Sequence, residues 1–168
     1  CFPMKKTLLA LLVLSLAAAL ALTPALAEVD AFTSASVTDF YGDSALTGEE
    51  LMNAINSFSG FYLVCTTNPD GSANAGYFIY GCLEHEGKYY LKMGLAENQS
   101  RQNLLTNGEG VAVYAATPGG GESDELYAVA GARMRFTVVT DSEILAALEI
   151  EEGGSNILCE IIETKSLG

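Results

Sequence analysis

Residues 61–94, FYLVCTTNPDGSANAGYFIYGCLEHEGKYYLKMG, decide the fold. Phe61 to Thr67 is aromatic and β-branched, a composition that suits a pleated, half-buried surface. It runs into Asn68-Pro69-Asp70-Gly71-Ser72, a turn with its glycine where positive φ is cheap. A second strand is predicted from Ala75 to Leu83, and His85-Glu86-Gly87 turns it into a third, Lys88 to Gly94. Three consecutive antiparallel strands are therefore expected.

Upstream, Thr47-Gly48-Glu49-Glu50 reads as a capping box, with Thr47 accepting from the first turn and Glu50 reaching back. Leu51, Ile55 and Phe58 then repeat at helical spacing, and Gly60 ends that helix. Downstream, a short helix is predicted over Glu97 to Asn107, capped by Ser100, and a fourth strand over Val111 to Ala116. Thr117-Pro118-Gly119-Gly120-Gly121, with Glu122, Asp124 and Glu125, is an acidic glycine-rich loop. Tyr127 to Thr140 reads as a fifth strand with a bend or bulge at Gly131. Ser142 caps a helix to Glu149, and Asn156 to Thr164 is the last strand. The fold class expected is mainly β with short α insertions: six strands in a closed antiparallel barrel.

The beginning of the chain reads as an address. Met4 is followed by Lys5 and Lys6, mostly apolar residues from Leu8 to Leu22, and Ala25-Leu26-Ala27, the pattern of a cleavable signal peptide over residues 1–27. The apolar run is shorter than the roughly 20 residues that span a bilayer, so export without stable membrane insertion is expected. Cys1 to Pro3 do not fit such a leader. Residues 28–45 lack a sustained period and are expected to form a flexible arm, leaving 46–168 as one domain. The chain carries 8 basic and 21 acidic residues. Cleavage after Ala27 removes Lys5 and Lys6 and takes the net charge from −13 to −15. Such a field repels phosphate backbones and anionic lipid, which argues against nucleic-acid partners.

Three cysteines follow the leader, Cys65, Cys82 and Cys159, without CxxC spacing, and they are read as buried small apolar residues. The single histidine, His85, sits in a predicted turn, so no metal or haem ligand set follows from spacing. Walker A, GxGxxG and Ser-His-Asp patterns are all lacking.

The order of these pieces resembles the pyridoxamine 5'-phosphate oxidase-like, FMN-binding split-barrel superfamily. The resemblance is carried by Asn68-Pro69-Asp70-Gly71-Ser72-Ala73-Asn74, the hairpin ending Gly87-Lys88-Tyr89-Tyr90, and Ser100-Arg101-Gln102-Asn103-Leu104 before an apolar strand, and it covers roughly residues 47–165. It implies a split barrel, a homodimer, and an FMN held in the cleft between protomers. Its phosphate is expected at the helix start Asn98-Gln99-Ser100-Arg101, with Gln99, Ser100 and Arg101 as the binding residues and Asn103 matching the same pattern. A helix start supports this physically, because it offers unpaired N–H groups and a positive dipole end, while arginine adds a forked charge. Gly76, Tyr77 and Phe78 are expected beside the flavin ring, and Lys92 stands in for a basic residue that relatives carry elsewhere. Arg133 and Arg135 share a face of the fifth strand, where they serve either an ion pair or a partner's cofactor.

The expected function is an exported flavin-dependent oxidoreductase acting on a small electron acceptor or donor. The alternatives are a non-catalytic binder of flavin, haem or deazaflavin, and a dimeric structural module whose cofactor site has decayed. The arginine-rich C-terminal segment associated with pyridoxamine phosphate oxidation is absent, since the chain ends Glu163-Thr164-Lys165-Ser166-Leu167-Gly168.

Overall fold

A computed structural model describes residues 41–116 and 129–168. The predicted signal peptide, most of the arm, the glycine-rich loop and the first residues of the fifth predicted strand lie outside them. After a 3₁₀ turn at Gly42–Ser44, the elements in order are α1 (Gly48–Asn56), β1 (Phe61–Thr67), β2 (Ala73–Tyr77), β3 (Tyr80–His85) and β4 (Lys88–Gly94). There follow α2 (Gln99–Asn107), β5 (Glu109–Ala115), β6 (Gly131–Val138), α3 (Ser142–Ala147) and β7 (Asn156–Lys165).

The expectation of a closed six-stranded barrel is overturned. Seven antiparallel strands form one sheet in the order β2-β1-β5-β6-β7-β4-β3, and the end strands β2 and β3 are not paired with each other. The reason lies in the run predicted as one strand, Ala75 to Leu83. Its first part pairs with β1 (Leu63 opposite Tyr77) and its second with β4 (Tyr80 opposite Met93). Phe78 and Ile79 between them join no ladder. Inward and outward side chains keep alternating through this break, so the change of partner leaves no mark on the period.

Because only two residues link the end strands, the sheet must roll until its edges approach. Three Cα–Cα steps of 3.8 Å reach at most about 11 Å. Tyr80 of β3 accordingly reaches across to β5, donating its hydroxyl to the Val113 carbonyl at 2.8 Å. Its ring meets Tyr62 edge-on at 5.1 Å, and Tyr62 meets Tyr114 at 5.2 Å. Each aromatic pair adds about 0.5–1.5 kcal/mol beyond area burial, and the other two hydroxyls also find carbonyls, Tyr62 on Ile55 and Tyr114 on Ser59. Around these rings close Leu51, Ile55, Val64, Leu91, Met93, Leu104, Met134 and Phe136, all buried.

Helix α1 covers the free edge of β3. The Asn56 amide donates to the Cys82 carbonyl and accepts from the Cys82 N–H, both at 2.8 Å, doing for one residue what a further strand would do. Thr47 holds the N-cap position of α1 as expected, but its side chain makes no capping bond. The bulge expected at Gly131 lies instead in the β6–β7 ladder between Arg135 and Phe136. Gly131 has another role, since a Cβ there would collide with the Tyr114 carbonyl. Helix α3, capped by Asp141 rather than Ser142, places Leu145 in a second cluster with Tyr90, Ile150 and Leu158.

Candidate functional site

The Asp70-Gly71 turn sets the register of the first hairpin. Asp70 accepts from the Ser72 N–H and hydroxyl, which holds its carboxyl below the usual range. Counting back equally on both sides pairs Thr66 with Asn74. Against this pair lies the first turn of α2. Its N-cap is Asn98, whose side chain accepts from the Arg101 N–H at 3.0 Å. Ser100, expected as the cap, is instead inside the helix and buried.

Two strands and the helix start thus meet in a polar cluster. Asn74 Nδ2 donates to Thr66 Oγ1 at 3.0 Å and to Ser100 Oγ at 2.9 Å. Buried Asn103 donates to Thr66 Oγ1 and to Asn68 Oδ1, both at 2.9 Å, and accepts from Gln99 at 2.7 Å. Thr66 and Ser100 therefore receive hydrogen bonds, but neither hydroxyl gives one to any acceptor among the described residues. Buried hydroxyls with unspent protons beside a helix start can serve an anionic acceptor.

Of the eight residues predicted from sequence, the structure brings Gln99, Ser100 and Asn103 into this cluster. Arg101 is adjacent but turned away. Its guanidinium donates to the carbonyls of Leu95 (3.3 Å), Ser155 (3.2 Å) and Gly154 (2.7 Å), clasping the loop before β7. The hollow beside it, about 280 Å³, is also lined by the carboxylate-bearing Glu97. Gly76 lies on β2 opposite Val64, with Tyr77 exposed next to it. The ring of Phe78 covers Gly76 so closely that a Cβ there would overlap it. Lys92 stands on β4 between Gly81 and Leu158, and among the described residues it makes no hydrogen bond or ion pair with the other seven. Sequence reasoning missed Thr66, Asn68 and Asn74, although the turn register held the signal for pairing Thr66 with Asn74.

A second feature is the outward face of β2, β1, β5, β6 and the end of β7. Tyr77, Leu63, Val113, Arg133 and Lys165 lie in one row across it, and Ala75, Cys65, Val111, Arg135 and Glu163 in the next. Phe61, Leu63 and Tyr77 are 58%, 40% and 55% exposed, an apolar patch bordered by basic residues. The expected ion pair exists for Arg135, whose Nε lies 3.6 Å from Glu163, while Arg133 donates from Nε to the Ser166 carbonyl at 2.7 Å. All three described cysteines are free thiols, with Cys82 and Cys159 buried and Cys65 half-buried on this face.

No protein-family model matches the chain, and no curated protein matches it. Solved structures do. An FMN-binding protein from Syntrophomonas wolfei superposes with a TM-score of 0.51 at 12% identity, over 71% of this chain and 85% of that one. HupZ from Group A Streptococcus gives 0.48 at 18% identity, over 73% and 94%. A putative pyridoxamine 5'-phosphate oxidase from Lactobacillus delbrueckii gives 0.42 at 13%, over 71% and 91%. The chain therefore shares the fold of a solved FMN-binding protein. At these identities the likeness is one of fold.

Proposed function

We propose that this chain is an exported, FMN-binding redox protein that works as a homodimer on a small electron donor or acceptor. The observation that carries the reading is the pair of buried hydroxyls, Thr66 and Ser100, with protons to give at the start of α2. A phosphate there would accept from the Ser100 hydroxyl and from the N–H groups of Gln99 and Ser100, the Arg101 N–H being taken by the Asn98 side chain. Arg101 supports this end by charge and by holding the helix start in place, with its fork spent on carbonyls.

The donor set thus fits the phosphate end of the cofactor. The ring end fits only if Phe78 leaves Gly76, since both cannot occupy that space. When bound, a flavin supplies hydride or electron transfer itself, and the protein contributes orientation, shielding from water and hydrogen bonds. Backbone amides of β2 at Gly76 and Tyr77 would present the strand to the ring edge, and Lys92 supplies positive charge from β4. A second copy is the natural cover for the apolar face around Phe61, Leu63 and Tyr77, which is too continuous to be scattered surface residues. The leader sequence before Glu28 supports export.

One observation favours the alternative of a structural module with a decayed cofactor site. The Arg101 guanidinium is taken up by backbone carbonyls rather than turned to the cluster. Titration separates the readings. Purified protein is expected to bind FMN more tightly than riboflavin, and Ser100→Ala to weaken FMN about tenfold while leaving riboflavin unchanged. Equal losses for both ligands, or no binding of either, would remove the phosphate reading.

A further inference from the structure

We infer that Phe78 controls access to the strand backbone at Gly76, by lying on the spot that a planar ring would need. This rests on the flavin reading and adds to it the regulation of the same site. Gly76 is in β2, opposite Val64. A Cβ built on it would meet Phe78 Cζ at 2.8 Å and Cδ2 at 3.2 Å, with Cε2 closer still. Non-bonded carbons sit comfortably at about 3.5–4.0 Å. The ring therefore rests directly against the glycine, and a flat ligand and Phe78 exclude one another there.

The ring packs on the edge of the main core cluster, but its backbone belongs to no strand, while its two ends are fixed. Phe78 and Ile79 fall between β2 and β3 and belong to neither ladder, so their backbone turns without breaking strand hydrogen bonds. The ring is half-buried, and its neighbours Tyr77 and Ile79 are 55% and 52% exposed. On one side β2 is held to β1. On the other, Tyr80 is pinned by its hydroxyl on Val113 and its ring against Tyr62. Motion is thereby confined to a two-residue hinge joining the two edges of the sheet. With the ring in, Gly76 is covered; with the ring out, the same missing side chain leaves the β2 backbone open to a planar group.

The test uses the full chain, freed of flavin, with the Gly76 α-proton resonances followed by NMR during titration with FMN and with lumiflavin, which has the ring but no phosphate. Before titration, nuclear Overhauser contacts join the Phe78 ring protons to the Gly76 α-protons. Saturating FMN is expected to abolish those contacts and to replace them with contacts to the flavin ring. Phe78→Ala is expected to tighten both ligands about tenfold if the covering arrangement holds about nine-tenths of the population. Should Phe78→Ala fold poorly, the wild-type contacts decide alone. FMN binding with the Phe78–Gly76 contacts intact, or weaker binding by a folded Phe78→Ala, overturns the gate and leaves the flavin reading standing. Absence of binding by both wild type and variant overturns the two together.

Discussion

Arg101 shows how one side chain can be read correctly for position and differently for partner. Its place in the first turn of α2 follows from sequence, but its three carbonyl acceptors belong to residues as far away as Ser155, which no local pattern connects to it. Charge-assisted hydrogen bonds contribute about 1.5–3 kcal/mol each where well buried, and less at a half-exposed group such as this one. Arg101→Ala is therefore expected to lower stability by about 2 kcal/mol, read from urea unfolding. Arg101→Lys should recover little of the loss, because a single ammonium cannot span three carbonyls. If the clasp is the main role, FMN and riboflavin lose affinity alike. A loss confined to FMN, with stability unchanged, would return Arg101 to direct phosphate contact. Ser100 is the converse case: its helix was legible, while its burial under Asn74 required the register of a hairpin 26 residues upstream.

Among the elements, the edge strands carry the most telling contrast. β3 ends the sheet at one side and is closed off by the Asn56 amide, whereas β2 ends it at the other with no helix side chain bonded to its backbone among the described residues. Removing the amide leaves a part-buried N–H and C=O of Cys82 without partners, at about 1–3 kcal/mol for such groups. Asn56→Ala is thus expected to cost about 2 kcal/mol in urea unfolding and to speed hydrogen exchange at the Cys82 amide. An Asn56→Ala protein with unchanged stability and a still-protected Cys82 amide would show that α1 covers the edge by packing alone. Sequence reasoning found β1, β4 and α2 within a residue or two, since each rests on local composition, caps and turns, whereas α1 stops at Asn56 and leaves Phe58, expected on its apolar face and before a stop at Gly60, beyond the helix and exposed. It failed at Phe78-Ile79 for a physical reason: side-chain alternation survives a change of ladder partner. A rolled sheet left open was consequently predicted as closed.

Among the described residues the molecule keeps two thiols, Cys82 and Cys159, and one central phenol away from water, and this sets its behaviour in alkali. Burial pushes the Cys82 thiol from 9.0 up to about 12. Burial also raises Cys159, Cys65 and the Tyr80 phenol, the last further raised by its neighbour Tyr62. In each case the folded chain holds the proton more tightly than the unfolded chain does. Below the unfolded values, near 9.0 for the thiols, both forms are protonated and nothing is lost. Above them the unfolded chain releases protons that the folded chain retains, so stability falls as pH rises until the folded groups ionise too. Repulsion among 21 acidic residues cannot mimic this slope, because those carboxylates are already ionised well below pH 9. Newly ionised exposed tyrosines and lysines change surface charge in the same window, but salt screens such charges within about 3 Å at 1 M. The urea midpoint is therefore expected to decline steadily from about pH 8 to about pH 10.5 and to keep most of that decline in about 1 M sodium chloride. Cys82→Ala should flatten part of the slope even if it lowers the midpoint throughout. A decline abolished by salt would assign alkaline sensitivity to the surface, and with it would go the account of the rolled sheet as a core dry enough to keep its thiols protonated.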